Sequence, residues 1–284
     1  MKTKAITVFS PGTCGELIQG KMSGVNFLVT SPINLFSKII IKRDKISAPS
    51  FDHLHLKSKK ALNLFFELFD IKDRNLSIQI DSKIPKGKGM ASSSADISGI
   101  LYALSRIYDI SLSPIDIAKI SVNIEPTDGI MFPGIVLFDY IKATKWEYIG
   151  KPFPLKVLVV DFGGEINTVK FNKNGPSGSK NFPLLLHELK KAFKERDIKL
   201  FGNVITKSTL ENQRTIFKHD CEALIEKALS LGAIGVNTAH SGTVCGIFTP
   251  FSKREKVDKI RTMFPHLTFL GWYSLIGGGF LVEM

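Results

Sequence analysis

An α+β architecture in two lobes is what this 284-residue sequence predicts, and three observations predict it. Strand-like and helix-like segments are mixed in both halves without the regular alternation of a doubly wound parallel sheet. Lys151-Pro152-Phe153-Pro154 interrupts the pattern and separates residues 1–150 from residues 155–284. With 44% hydrophobic residues, the chain can bury a core for both halves.

In the first half, Ile6 to Ser10, Phe27 to Ser31 and Ser37 to Ile41 read as strands, and Lys59 to Phe69 as a helix. Leu76, Ile78 and Ile80 alternate with Ser77, Gln79 and Asp81, the period of a half-buried strand that ends as Pro85 approaches. Ile97, Ile100, Leu101, Leu104 and Ile107 then recur at helical spacing. Pro114 to Val122 predicts a helix with Ser113 as N-cap and Pro114 in its first turn. The turn-rich EPTDGIMFPG and the strand-like GIVLFDY follow. In the second half, Lys156 to Asp161 reads as a strand, and Phe182 to Phe201, Asn203 to Thr209 and His219 to Ser230 as helices. Gly235 to Ala239 and Val244 to Phe248 flank the turn His240-Ser241-Gly242-Thr243, and WYSLIGGGFLVEM suggests a last strand entered through glycines.

Composition narrows the function classes. The net charge of +12 invites a nucleic-acid reading, yet the lysines are scattered. The densest groups, Lys57 with Lys59 and Lys60, Lys190 with Lys191 and Lys194, and Lys253 with Arg254 and Lys256, lie in amphipathic segments and read as solvated helix faces. A basic nucleic-acid-binding protein therefore stands as the disfavoured, non-enzyme alternative. Apolar runs such as Leu155 to Val160 fall far short of a membrane span, and MKTKAITVFS lacks the apolar length of a signal peptide, so a cytoplasmic protein with no membrane partner is expected. Cys14, Cys221 and Cys245 are odd in number and have no C-x-x-C spacing, which points away from disulfides and zinc. His53 and His55 read as solvated loop residues. Oligomeric state does not follow from the sequence.

Chemistry concentrates in Pro85 to Asp96, PKGKGMASSSAD, between a strand and a helix. Two glycines permit tight backbone, two lysines supply charge, and three serines sit where a helix leaves its first N–H groups unpaired. An anion fits such a place; an ordinary Ser-capped connection is the other reading. Ala91 before Ser92 excludes a Walker A loop, and G-x-G-x-x-G is not met. Phosphoryl transfer requires donors around phosphate, a divalent cation, and a group at the acceptor hydroxyl. Glu125 and Asp128, three apart on a turn, suit the last two tasks, one on a metal and one toward a hydroxyl. Solvated acids at a helix end are the alternative.

The pattern P-x-x-x-G-[LM]-x-S-S-x-A, met by Pro85, Gly89, Met90, Ser92, Ser93 and Ala95, resembles the ATP loop of the GHMP kinase superfamily. PGTCGELIQG at Pro11 to Gly20 is similar to that superfamily's N-terminal motif, and NTAHSGTVCGIF at Asn237 to Phe248 to its C-terminal glycine motif. Together with IEPTDGIMF and AHSGTVCG, these blocks are most similar to the L-threonine kinases of cobalamin synthesis.

The resemblance implies an N-terminal, ATP-binding lobe (1–150) like ribosomal protein S5 domain 2 and a ferredoxin-like C-terminal lobe (155–284). It implies ATP and Mg²⁺ as cofactors and phosphorylation of the side-chain hydroxyl of L-threonine, to give O-phospho-L-threonine and ADP for the aminopropanol arm of cobalamin synthesis. Homoserine, serine and other small alcohols remain open as acceptors, because one methyl or methylene is worth only about 1–3 kcal/mol in an apolar pocket.

Carried over by motif, Pro85, Lys86, Gly87, Lys88, Gly89, Met90, Ala91, Ser92, Ser93, Ser94 and Ala95 form the ATP loop, Ser93 and Glu125 bind the metal, and Asp128 orients or deprotonates the acceptor. Thr13, Cys14, Glu16, His240, Ser241 and Gly242 are the candidate substrate contacts. Glu16 either binds the substrate ammonium or closes a local turn, and His240 either meets a substrate carboxylate or is a turn histidine satisfied by backbone. Cys14 and Cys245 read as small buried residues, since in-line transfer needs no thiol. Ala91 stands where many relatives have Gly, and the loop is expected to survive the extra methyl.

Overall fold

The computed structural model describes residues 4–43, 51–164 and 181–283. A long antiparallel hairpin forms its spine: β1 (Lys4–Met22) and β2 (Val25–Arg43) pair along most of their length, with register shifts at Pro11/Gly12, Thr13/Glu16 and Glu16/Ile18. The sequence predicts three short strands here. Pro11 to Gly20 instead continues the strand, because the irregularities absorb Pro11, Gly12 and Gly15 without ending the pairing.

Around this spine lie α1 (Leu56–Leu68), β3 (Leu76–Ser82), α2 (Ser92–Ile107), α3 (Pro114–Val122), β4 (Ile135–Asp139) and β5 (Trp146–Gly150). Then come β6 (Leu155–Asp161), α4 (Phe182–Glu195), α5 (Ile198–Asn212), α6 (Cys221–Ser230), β7 (Gly235–Thr238), β8 (Val244–Pro250), the short helices α7 (Arg254–Asp258) and α8 (Ile260–Met263), β9 (Thr268–Ser274) and β10 (Leu281–Glu283). One ten-stranded sheet runs β5-β4-β2-β1-β7-β8-β6-β9, with β3 paired to β2 and β10 to β1. Within this sheet the two halves of the chain pair through β1, which sets Glu16 opposite Thr238 of β7 and Thr7 to Phe9 along β10. Mixed helix and antiparallel sheet is the predicted α+β class.

Several boundaries differ from expectation. The α4–α5 break falls at Arg196, which is left-handed (φ 55°), and at Asp197, whose carboxylate accepts from the N–H groups of Lys199 and Leu200. The sequence places that break near Gly202 instead. The sequence predicts neither β5, which is mostly exposed and lacks a buried alternation, nor β9 and α8, while the helix face read at Lys253, Arg254 and Lys256 corresponds to α7 and the turn before it. Ser113 and Asp116 form the expected capping box of α3.

Three apolar clusters fill the layers. One packs α1, α2 and α3 on the first half of the sheet, and one packs α6 and Val257, Ile260 and Phe264 on β6, β7 and β8. The third joins the halves: Leu17, Ile18 and Val29 share it with Phe182, Leu189 and Phe201 of α4 and α5. Backbones touch where α5 crosses β7. A Cβ on Gly202 would lie 1.8 Å from the Ile234 carbonyl oxygen. Gly202→Ala is therefore expected to lose about 3 kcal/mol or more by overpacking, well above the roughly 1 kcal/mol that Ala gains over Gly in a helix. Urea unfolding would report it as a lower midpoint at unchanged slope; an unchanged midpoint would mean that the crossing relaxes freely.

Candidate active site

A cavity of about 460 Å³ opens at the N-terminus of α2, between the Pro85–Ala91 loop, the Glu125–Asp128 turn and the end of β1. The loop is shaped by glycines at positive φ (Gly87, 71°; Gly89, 77°) and by Ala91 (φ 60°, ψ 25°), the residue that caps α2. The ordinary Ser-capped connection, the alternative reading of this stretch, does not form. In fact Ser92, Ser93 and Ser94 are its first three residues, and their N–H groups, with no acceptor one turn back, face the cavity end. The left-handed Ala91 costs about a kcal/mol that a glycine at this position would not. Gly89 lies tight against the His240–Thr243 turn: a Cβ there would sit 2.6 Å from the Ala239 Cβ and 2.8 Å from the Gly242 Cα. Gly242 is thus a packing partner of the loop, with Thr243 N–H donating to the Lys88 carbonyl at 3.1 Å.

Two consecutive serines each grip one carboxylate of the turn. Ser93 Oγ donates to Glu125 Oε1, and Ser94 Oγ donates to Asp128 Oδ2 at 2.8 Å while accepting from Asp128 N–H at 3.2 Å. Thr127 N–H, bonded to the Tyr140 carbonyl at 2.9 Å, holds the turn against the end of β4. Lys57 of α1 reaches Glu125 Oε2 at 2.5 Å. Half-buried Asp128 has its carboxyl pushed up to about 6, chiefly by loss of hydration, with the Ser94 bond opposing and the Glu125 charge adding to the rise.

Glu16 sits on the far wall, 5% exposed, accepting from His240 N–H. Burial and the Asp128 charge push its carboxyl well above the usual range. His240 Nδ1 meets Gln19 Oε1, and its Nε2 lies 3.1 Å from the Tyr140 hydroxyl. An amide oxygen only accepts, so Nδ1 carries the proton and Nε2 accepts from Tyr140. Burial lowers the His240 ring to about 4, keeping it neutral at pH 7. His240, the candidate contact for a substrate carboxylate, thus lines the cavity as a ring held by the side chains of Gln19 and Tyr140.

Of the predicted residues, Pro85, Lys86, Gly87, Gly89, Met90, Ala91, Ser92, Ser93, Ser94, Glu125, Asp128, Glu16, His240 and Ser241 line this one cavity. Others do not. Lys88 turns away to Asp161 Oδ2 (2.9 Å) and the Gly164 carbonyl (2.8 Å), and Ala95 is buried in the core. Thr13 and Cys14 are fully buried, because the strand irregularity turns them inward; Asn237 bonds the Cys14 carbonyl, and burial raises the Cys14 thiol so that it stays protonated. Gly242 faces a second cavity.

Residues outside the predicted site also line the cavity, among them Lys57, Asp96, Tyr140 and His55, the last in contact with Lys86. Asp96, which accepts from Ser37 Oγ at 2.5 Å, could have been noticed as an acid inside an apolar helix repeat. The others lie too far away in sequence to signal.

A hard divalent cation fits here. Ser93 Oγ and the Glu125 carboxylate already touch, both are oxygen donors, and a magnesium ion needs few protein oxygens beside those of phosphate. No group of three or more His, Cys, Asp or Glu residues suited to a metal occurs among the described residues, so a cage built from protein alone is not the fit.

The family model for the GHMP kinases N terminal domain matches residues 57–133, and that for the GHMP kinases C terminal matches residues 189–266, together more than half of the chain. An L-threonine kinase of Citrobacter freundii is 27% identical over 261 residues, 89% of each chain. One from Salmonella typhimurium is 26% identical, over 88% of this chain and 85% of the other. Among solved structures, homoserine kinase from Cytophaga hutchinsonii superposes with a TM-score of 0.77 at 15% identity, over 98% of this chain and 97% of the other. Mevalonate kinase from Methanococcus jannaschii superposes with a TM-score of 0.71 at 19% identity, over 97% and 99%.

Proposed function

We propose that this chain, which belongs to the GHMP kinases and is an ATP-using phosphotransferase with an alcohol as acceptor, phosphorylates the side-chain hydroxyl of L-threonine. The products are O-phospho-L-threonine and ADP, and the expected use is the aminopropanol arm of cobalamin synthesis. The acceptor rests on similarity to two L-threonine kinases along most of the chain. The chemistry rests on one observation: consecutive serines at a helix N-terminus each hold one carboxylate of the same turn, Ser93 with Glu125 and Ser94 with Asp128.

In this reading the loop and the first turn of α2 surround the ATP phosphates with N–H and hydroxyl donors, and Lys86 adds charge. Ser93 and Glu125 hold the metal, which when bound neutralises phosphate charge. Asp128 orients the acceptor hydroxyl and takes its proton, and Glu16 meets the substrate ammonium. Residues 1–150 and 155–284 serve as the two lobes of a cytoplasmic enzyme. No helix among the described residues is long and apolar enough to cross a membrane.

A competition assay with ATP and Mg²⁺ tests the acceptor. L-Threonine is expected to exceed serine in kcat/KM by about 10- to 200-fold, the worth of one methyl against an apolar wall that includes Leu28. Homoserine is the competitor to watch, given the fold likeness to homoserine kinase. A higher kcat/KM for homoserine or serine would remove the L-threonine assignment while leaving the kinase intact.

A further inference from the structure

We infer that Lys57 is a catalytic residue whose ammonium binds the γ-phosphoryl group of ATP and balances the charge that this group spreads over its oxygens during transfer. This role rests on the reading of the first cavity as a phosphoryl-transfer site, and it falls to a residue outside both the loop and the turn. A phosphoryl group in a loose transition state asks little of a protein beyond position and charge, so the cations lining such a cavity matter most.

Two lysines, Lys57 and Lys86, line the cavity beside the carboxylates of Glu16, Asp96, Glu125 and Asp128. Lys86 belongs to the loop and touches His55, and Lys88 turns out to Asp161. Lys57 is the one bonded to the turn. It donates to Glu125 Oε2 at 2.5 Å, Ser93 donates to the other oxygen of that carboxylate, and Ser94 holds Asp128 on the same turn. The ammonium is thereby tied to the segment that carries the carboxylate proposed to take the acceptor proton.

Its place in the helix points the same way. Lys57 is the second residue of α1, whose first turn holds no acid and whose N-cap, His55, gives no side-chain bond to the unpaired N–H groups. A cation there opposes the helix dipole, and bare N–H groups beside an ammonium call for negative charge. Glu125 supplies one such charge, but its carboxylate, 9% exposed, also serves Ser93. The Lys57 side chain is 41% exposed, and its ammonium makes one hydrogen bond among the described residues, which leaves donor hydrogens for a second acceptor. A phosphoryl oxygen meets that demand. The purely structural role, by contrast, would be to brace Glu125.

The test titrates ATP and ADP, each with Mg²⁺, into the full chain by calorimetry with no acceptor present. Lys57→Met is expected to weaken ATP about tenfold or more and ADP less than about threefold, because only ATP carries the γ-phosphoryl group. Lys57→Arg, which keeps the charge, should bind ATP within about threefold of wild type. Turnover gives a second readout: kcat of Lys57→Met should fall about 10²- to 10³-fold, with the Mg²⁺ concentration for half-maximal ADP formation unchanged. Equal loss for the two nucleotides, or loss for neither, overturns the assignment. So does a kcat restored by excess Mg²⁺, the sign that Lys57 only braces Glu125. Failure of wild type to bind either nucleotide would instead remove the phosphoryl-transfer reading of this cavity, and the role of Lys57 with it.

Discussion

Glu125→Gln is expected to lower kcat by about 10²- to 10³-fold while the protein stays folded, the range seen when one preorganised electrostatic group is removed from a transfer site. The substitution keeps shape and hydrogen-bonding capacity but deletes the charge that faces Lys57 at 2.5 Å and receives the Ser93 hydroxyl. If that charge holds the proposed metal, the loss will be accompanied by a shift of the Mg²⁺ dependence of ADP formation to higher concentration. Ser93→Ala should move the same curve in the same direction by less, since a neutral ligand contributes less than an anion. The double variant should fall short of the product of the two effects, because both act through one contact. Full activity in both single variants would remove the metal assignment. Lys57 sharpens the test. Its ammonium occupies the second oxygen of Glu125, so Lys57→Met should leave the Mg²⁺ response present, where Glu125→Gln weakens it.

How much of this was legible in the sequence depends on range. The loop and helix from Pro85 to Ile107 are set by local chemistry, and glycine, proline and helical spacing locate them. The capping residue was not legible, because Ala91 adopts a left-handed conformation that its side chain disfavours and that the surrounding contacts impose. Cys14 and Lys88 lie in motifs yet turn away from the cavity, the first through the irregularities of β1 and the second through its ion pair with Asp161. Which face of an irregular strand points inward is decided by pairing with β2 and β7, and no single segment encodes that. Tyr140 reaches the site across the sheet and Lys57 from a separate helix. By contrast, the two carboxylates of EPTD were legible as a pair, since their spacing on a turn keeps both at one end of the helix that carries the serines.

Asp128→Asn is expected to give the most informative pH behaviour. In the wild type the carboxyl titrates at about 6, so kcat/KM should fall about tenfold per pH unit below that value if the ionised form takes the hydroxyl proton. The variant should lose about 10²- to 10⁴-fold in kcat and lose that acid limb as well. A loss below tenfold, with the limb retained, would assign Asp128 to positioning alone. Stability should move in the opposite direction. Because the folded value lies above the ordinary 3.8, the contribution of Asp128 to stability is complete below about pH 4 and is lost as pH rises through 6. At pH 7.5 the wild type therefore carries a strained charge worth of order 1–3 kcal/mol, and Asp128→Asn should melt higher, with the difference vanishing near pH 4. A residue retained only for structure would give the reverse, a variant less stable at neutral pH. Higher stability joined to lost turnover is what a group held ionised against its surroundings for proton transfer must show.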